Sequence, residues 1–242
     1  MSRTILVTGG GTGIGRAVAE HFAAQGDTVV ITGRRPGPLN EVAARNKKMR
    51  AVSCDHTDPE ALQRLLEELP GRIDVLINNA GGNTDFDRAS EAEPDLASYA
   101  QAFRANLEAN LISAALTTKA LESRLSAGAA VVQIGSIAAD QASGSYGAAK
   151  AALANWNLNV AAELGPRGVT ANVVSPGYIA DTEFFRDRLF DDRRSALIDA
   201  TATGRAGVPA DIVGAVAFLA SPAARHITGQ VLNVNGGART TR

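Results

Sequence analysis

Thr4-Ile5-Leu6-Val7-Thr8-Gly9-Gly10-Gly11-Thr12-Gly13-Ile14-Gly15 is the stretch on which the reading of this chain turns. Thr4 to Thr8 read as a short apolar strand, and an Ala-rich helical pattern runs from Arg16 to about Gln25. Between them lie five glycines within seven residues. A chain reversal alone needs fewer. A phosphate approaching backbone N–H groups at the positive end of a helix dipole does need them, so Gly9, Thr12, Gly13, Ile14 and Gly15 are expected to hold a pyrophosphate. The spacing, Thr8-Gly9-x-x-x-Gly13-x-Gly15, is not the general G-x-G-x-x-G dinucleotide fingerprint.

Outward from that turn, strands and helices alternate. A second strand is expected over 28–32, a helix over 38–46 and a third strand over 51–54, ending in Asp55. Asp58 and Pro59 are an N-cap and a first-turn proline for a helix that stops near Pro70-Gly71. Strand 73–77 leads into Asn78-Asn79-Ala80-Gly81, and an Asp-rich loop spans 82–95. A helical stretch over 97–125, in two pieces, precedes strand 130–134 and Gly135-Ser136. The helix carrying Tyr146 runs to Leu164, strand 170–174 ends in Ser175-Pro176-Gly177-Tyr178, and helix 209–219 and strand 231–234 close the chain. A βαβα order predicts a doubly wound α/β fold with a parallel sheet, right-handed crossovers and ligands at the strand C-termini. At the end of the second strand an Asp or Glu would bind the 2'-hydroxyl of NAD, but the chain has Gly33-Arg34-Arg35. Asp27 precedes that strand and reads as a turn residue.

Length would allow two domains, yet no linker or shift in composition divides the 242 residues, so a single domain over 1–242 is expected. A net charge of -1 without a Lys/Arg cluster argues against nucleic acid. No apolar run reaches the roughly 18 residues of a membrane span, and Met1-Ser2-Arg3 leads straight into a strand; a cytoplasmic protein is expected. Cys54 is the only cysteine and reads as core packing, and His21, His56 and His226 lack metal-ligand spacing, so no metal is expected. Small residues on the faces of both long helices point to a subunit interface, with Trp156 packing there.

Tyr146 and Lys150, four apart on a helix, share a face. A free phenol titrates near pH ~10, and a cation ~4 to 6 Å away lowers it by about 1 to 3 units, so Lys150 is expected to lower the Tyr146 pKa. Reaching pH ~7 would take about 4 kcal/mol, which calls for a second positive charge such as an oxidised nicotinamide ring.

The glycine turn, Asn78-Asn79-Ala80-Gly81, Ser136, Tyr146-x-x-x-Lys150 and Pro176-Gly177, all at strand ends and in this order, resemble the short-chain dehydrogenase/reductase family. The likeness continues through Gly204-Arg205, Thr228-Gly229-Gln230 and Gly236-Gly237. The resemblance implies a Rossmann-like sheet of seven parallel strands, with the helices of 105–125 and 146–164 pairing across a homodimer or homotetramer axis. It makes Tyr146 the general acid of ketone reduction and the base of alcohol oxidation, Ser136 the donor to the substrate oxygen, and Lys150 the ligand of the nicotinamide ribose. Asn106 matches the asparagine that holds a proton-relay water; Asn110, one turn on, is the other candidate. Asp55 matches an adenine contact, and Asn79, Ala80, Gly81, Pro176, Gly177, Ile179 and Thr182 match further cofactor contacts. The serine-to-tyrosine loop is short, and Thr12 stands where many NADP-preferring members carry a cation.

The expected activity is an NADP(H)-dependent reduction of a small-molecule ketone or other carbonyl, reversible as alcohol oxidation. Arg34, assisted by Arg35, would bind the 2'-phosphate. The alternative is a 3-oxoacyl-carrier-protein reductase, ranked second because 125–130 is uncharged and only Arg167 remains to meet an acidic carrier. A non-catalytic NADP-binding sensor ranks third, since a binding module needs no tuned phenol. Residues 178–205 are expected to form a mobile lid whose Tyr178, Phe184, Phe185 and Phe190 line an apolar substrate pocket.

Overall fold

The computed structural model describes residues 2–87, 95–141, 143–185 and 188–240; half of the expected Asp-rich loop, residues 88–94, lies outside them. Seven strands form one sheet: β1 (Thr4–Thr8), β2 (Thr28–Gly33), β3 (Met49–Ser53), β4 (Ile73–Asn78), β5 (Leu125–Ile134), β6 (Thr170–Pro176) and β7 (Val231–Val234). Their order is β3-β2-β1-β4-β5-β6-β7, with every pair parallel. The helices between them are α1 (Gly13–Ala24), α2 (Pro36–Ala43), α3 (Pro59–Glu68), α4 (Leu96–Leu107), α5 (Ser113–Leu121), α6 (Gly144–Leu164), α7 (Asp191–Asp199) and α8 (Pro209–Leu219).

The strands are apolar almost throughout because helices cover both faces of the sheet. Ile5, Val7, Ile31, Ile77, Val132 and Val174 pack with Val18 and Phe22 of α1 and Ile212 and Val216 of α8. On the other face Leu6, Val30, Leu76, Val131 and Ala171 meet Leu62 and Leu65 of α3, Leu121 of α5 and Val160 and Leu164 of α6, with Trp156 partly buried at the edge. Strand order reverses between β1 and β4, so a crevice opens at their C-terminal ends.

Several boundaries differ from the sequence reading. β5 starts at Leu125 rather than 130, because a 3-10 turn (Glu122–Arg124) ends the helix early and Leu125 pairs with Ile73; the register slips before Val75, and Gly128 takes φ 71°. Residues 125–130 and Arg167 therefore lie at the far end of the sheet from the crevice, and Arg167 is spent on the Glu122 and Leu125 carbonyls. The argument that an uncharged 125–130 faces the site mouth fails. β3 reaches back to Met49, which pairs with Val29 and is buried. The long helical stretch does come in two pieces, but they are joined by a π-helical turn, Glu108–Ile112.

Among the described residues no helix is long and apolar enough to cross a membrane, and no group of three or more His, Cys, Asp or Glu side chains could hold a metal ion.

Candidate active site

Packing explains why the first turn is glycine. Gly9 and Gly13 take φ of 65° and 51°, the left-handed region that other residues avoid. Gly15 does not line the crevice: a Cβ there would collide with the Gly9 carbonyl oxygen and the Asn79 amide, so its role is to let α1 sit against the turn. Asn79 ties β4 to that turn, its Nδ2 donating to the Thr8 and Gly9 carbonyls at 3.0 and 3.1 Å, while Thr8 Oγ1 accepts from Asn79 N and Ala80 N. At the start of α1, Thr12 makes no side-chain capping hydrogen bond and no acid occupies the first turn. Those N–H groups are left for an anion.

The crevice encloses about 1350 Å³ and is lined by Gly9, Thr12, Gly13, Ile14, Arg34, Arg35, Asp55, Asn79, Ala80, Gly81, Ser136, Tyr146, Lys150, Pro176, Gly177, Ile179 and Thr182. It thus gathers every residue proposed from sequence for the cofactor or the chemistry except Gly15 and Asn106. At one end, Asp55 accepts from Thr57 N and Thr57 Oγ1 at 3.0 and 2.8 Å. The Thr57 backbone bond above all, with the Thr57 hydroxyl and Arg34 adding to it, holds the Asp55 carboxyl below its usual range against the effect of burial.

Asn106 is fully buried and turned away from the crevice. Its Oδ1 accepts from Thr84 N, and its Nδ2 donates to Asp85 Oδ1 and Ser145 Oγ at 3.0 and 2.9 Å, which fixes the loop after β4 to α6. Asn110, in the π-helical turn, is the asparagine that holds Gly82 of the crevice wall, although its own side chain is buried off the lining. Its Oδ1 accepts from Gly82 N, and its Nδ2 donates to Gly82 O and Asn106 O, at 2.9 to 3.0 Å. Gly81, Gly82 and Ala109 beside it line the crevice. Both amides are fully committed; Asn110 differs in bonding to Gly82 of the crevice wall from within the π turn, which residue spacing does not reveal.

At the inner end, the Tyr146 hydroxyl shares a hydrogen bond with Ser136. Ser136 Oγ accepts from Ala138 N at 3.1 Å, which leaves its own hydrogen to donate. Lys150 Nζ donates to the Ile134 carbonyl at 2.8 Å and lies 5.9 Å from the Tyr146 ring centroid. The expected depression of the phenol is reversed in the protein without ligand: burial, partly offset by the Ser136 bond, pushes Tyr146 up to about 12. Burial also lowers Lys150 to about 8. Desolvation of two neighbouring groups outweighs their attraction here.

Over Tyr146 sits an aromatic wall. Phe184 lies 5.6 Å from the Tyr146 ring, Phe185 packs edge-on against Phe184 and Tyr178, and Phe86 meets both phenylalanines. Phe190 is not part of it: it is 76% exposed and lies off the crevice. Sequence reasoning missed Phe86, in this wall, and His56, which lines the crevice beside Asp55. The position of His56, directly after Asp55 at the end of β3, was the available signal.

A family model described as enoyl-(acyl carrier protein) reductase matches residues 9–239. The 3-oxoacyl-[acyl-carrier-protein] reductase FabG of Escherichia coli K12 is 35% identical over 245 residues, covering 96% of this chain and 95% of its own. A short chain dehydrogenase of Burkholderia cenocepacia J2315, solved in complex with NADP, superposes with a TM-score of 0.86 at 31% identity, covering 98% of both chains. A 7α-hydroxysteroid dehydrogenase complexed with NADH and 7-oxo glycochenodeoxycholic acid superposes at 0.88 and 29% identity, covering 97% of this chain and 93% of its own.

The chain belongs to the short-chain dehydrogenase/reductase family. It is an oxidoreductase acting on the CH–OH/C=O couple with a nicotinamide cofactor. The residues present fit that cofactor: a glycine turn with no room for side chains, free helix N–H groups beside it, and two arginines at the far end of a crevice that leads to the phenol.

Proposed function

We propose that this enzyme is an NADP(H)-dependent reductase of a small-molecule ketone, reversible as a secondary-alcohol dehydrogenase. The observation that carries the reading is a crevice with buried Tyr146 and Lys150 and half-buried Ser136 at one end and Gly33-Arg34-Arg35, without an acid, ending β2 at the other.

The cofactor, when bound, supplies the hydride. The chain's own residues do the rest. The N–H groups of Thr12 to Ile14 bind the pyrophosphate, Arg34 the 2'-phosphate and Asp55 the adenine. Asn79, Ala80, Gly81, Pro176, Gly177, Ile179 and Thr182 seat the nicotinamide half, with Lys150 on its ribose. Ser136 Oγ–H donates to the substrate oxygen, and Tyr146 hands over its proton as negative charge develops there. A phenol held near 12 is protonated at neutral pH, so it is ready as an acid for reduction; alcohol oxidation requires its deprotonation and gains with rising pH. The relay asparagine is Asn110, supported by its place beside Gly81 and Gly82 in the wall.

The aromatic wall of Phe86, Tyr178, Phe184 and Phe185 suits an apolar substrate body, and the segment 178–205 acts as its lid. Assembly as a homotetramer or homodimer is supported by large apolar side chains left exposed: Leu96 and Tyr99 of α4, Leu158 of α6, Phe218 of α8 and Val231 and Leu232 of β7.

A second reading, reduction of a 3-oxoacyl group on a carrier protein, is favoured by the 35% identity to FabG across nearly its whole length. NADPH and NADH oxidation measured with ketones, keto sugars and β-ketoacyl thioesters separates these readings. Turnover of thioesters alone selects the second; tight NADPH binding with no turnover on any class selects a non-catalytic sensor.

A further inference from the structure

The outer mouth of the crevice holds an ion pair that the reading above does not use. Arg35 Nη2 lies 2.6 Å from Glu183 Oε2, joining the turn after β2 to the segment after β6, and both side chains line the crevice while remaining 61% exposed. Glu183 is held in place by its neighbours. The Thr182 methyl lies 3.4 Å from where a Cβ on Gly13 would be, and Thr182 Oγ1 donates to Ile179 O at 3.1 Å. Ile179 in turn bridges to Gly207, and Ala180 N donates to Gly207 O at 2.8 Å. The backbone of this segment is therefore set beside the glycine turn, while the exposed Glu183 carboxylate, itself on the crevice lining, is paired with Arg35. Left unpaired, its charge would repel a phosphate bound in the crevice; Arg35 neutralises it.

Arg34 makes no ion pair among the described residues, whereas Arg35 is already engaged. A guanidinium fork paired with one carboxylate must release it, wholly or in part, before it can grip a phosphate in two-point fashion. We propose that Glu183 is a cofactor-discrimination residue: it competes with the 2'-phosphate of NADP(H) for Arg35 and so holds down the preference over NAD(H). The proposal rests on the NADP(H) reading of Arg34 and Arg35. NADH leaves the pair intact, so Glu183 weakens only the phosphorylated cofactor through this route. Any general repulsion of the pyrophosphate acts on both cofactors equally and cancels in their ratio.

The test is a fluorescence titration of the full chain with NADPH and with NADH, giving the ratio of their Kd values for the wild type, Glu183→Gln, Arg35→Ala and the double variant. Exposed ion pairs are weak, so Glu183→Gln should raise the preference for NADPH by about 1.5- to 5-fold, and the gain should vanish in the Arg35→Ala background. An unchanged ratio in Glu183→Gln, a shift toward NADH, or an equal gain without Arg35 overturns the proposal. A ratio that falls in Arg35→Ala yet ignores Glu183→Gln overturns this proposal alone. A ratio that ignores both Arg34→Ala and Arg35→Ala overturns the NADP(H) reading with it.

Discussion

Lowering the pH from about 7 to about 5 should cost the fold roughly 2 kcal/mol through one residue, His56. It is 4% exposed and bridges the sheet to a helix: Nε2 lies 2.7 Å from Thr32 Oγ1 of β2, and Nδ1 lies 2.7 Å from Thr117 Oγ1 of α5. Thr117 gives its only hydroxyl hydrogen to the Ser113 carbonyl at 2.7 Å, so it must accept from His56, which assigns the proton to Nδ1 and makes Nε2 the acceptor of Thr32 O–H. A second proton would leave the Thr32 hydroxyl hydrogen without its acceptor in a buried site. Burial, against a pull from Asp55, accordingly lowers His56 from 6.5 to about 4. The unfolded chain takes up the proton first. This contribution is whole above about pH 6.5 and is lost as pH falls toward 4; at ~1.36 kcal/mol per unit it amounts to about 3 kcal/mol in full, of which roughly 2 has gone by pH 5. Urea denaturation at both pH values, for the wild type and His56→Gln, measures it. Contributions common to both proteins cancel in the difference. The wild type should lose about 2 kcal/mol more than the variant over this interval, and equal losses would refute the reasoning.

Tyr146→Phe keeps the ring against Phe184 and removes only the proton donor, so kcat should fall by about 10² to 10⁴ with NADPH affinity within about twofold; retention of more than about a tenth of kcat sinks the general-acid role. Arg34→Ala should reduce the NADPH over NADH preference in kcat/KM by about tenfold, the low end for a charge-assisted hydrogen bond, since Thr12 adds no second cation; an unmoved ratio counts against the phosphate site. Gly15→Ala places a methyl against the Gly9 carbonyl and an Asn79 amide that is bonded at two points, so it should destabilise by about 1 to 3 kcal/mol in denaturant titration, and a loss under about 0.5 kcal/mol contradicts the packing argument.

Most of the sheet was legible because its strands are short apolar runs punctuated by glycine, proline and asparagine. α8 and β7 fall at the expected residues, while β5 was cut short because Leu125 was read as the end of the helix and the irregular pairing between Leu125 and Ala130 leaves no alternation to read. The Ser136, Tyr146 and Lys150 positions were legible from the ordered set of motifs that carries the family resemblance. Their electrostatics were not, because a sequence shows a cation beside a phenol but not the burial that raises one pKa and lowers the other. Arg167 illustrates the same gap: its charge was visible, its two backbone acceptors at the wrong end of the sheet were not.

The π-helical turn at Glu108–Ile112 has a bearing on how this chain tolerates change in length. An α-helix advances about 100° per residue, so the extra residue lodged in such a turn sets α4 and α5 about one such step out of phase. Substitutions within the turn leave that phase alone. Removing one residue would let the ladder close as α-helix and rotate all of α4 about its axis, carrying Asn106 away from Ser145 and Asp85 and re-aiming the face that bears Tyr99 and Phe103. The turn behaves as a splice of fixed length, in which the residue count has to be kept along with Asn110.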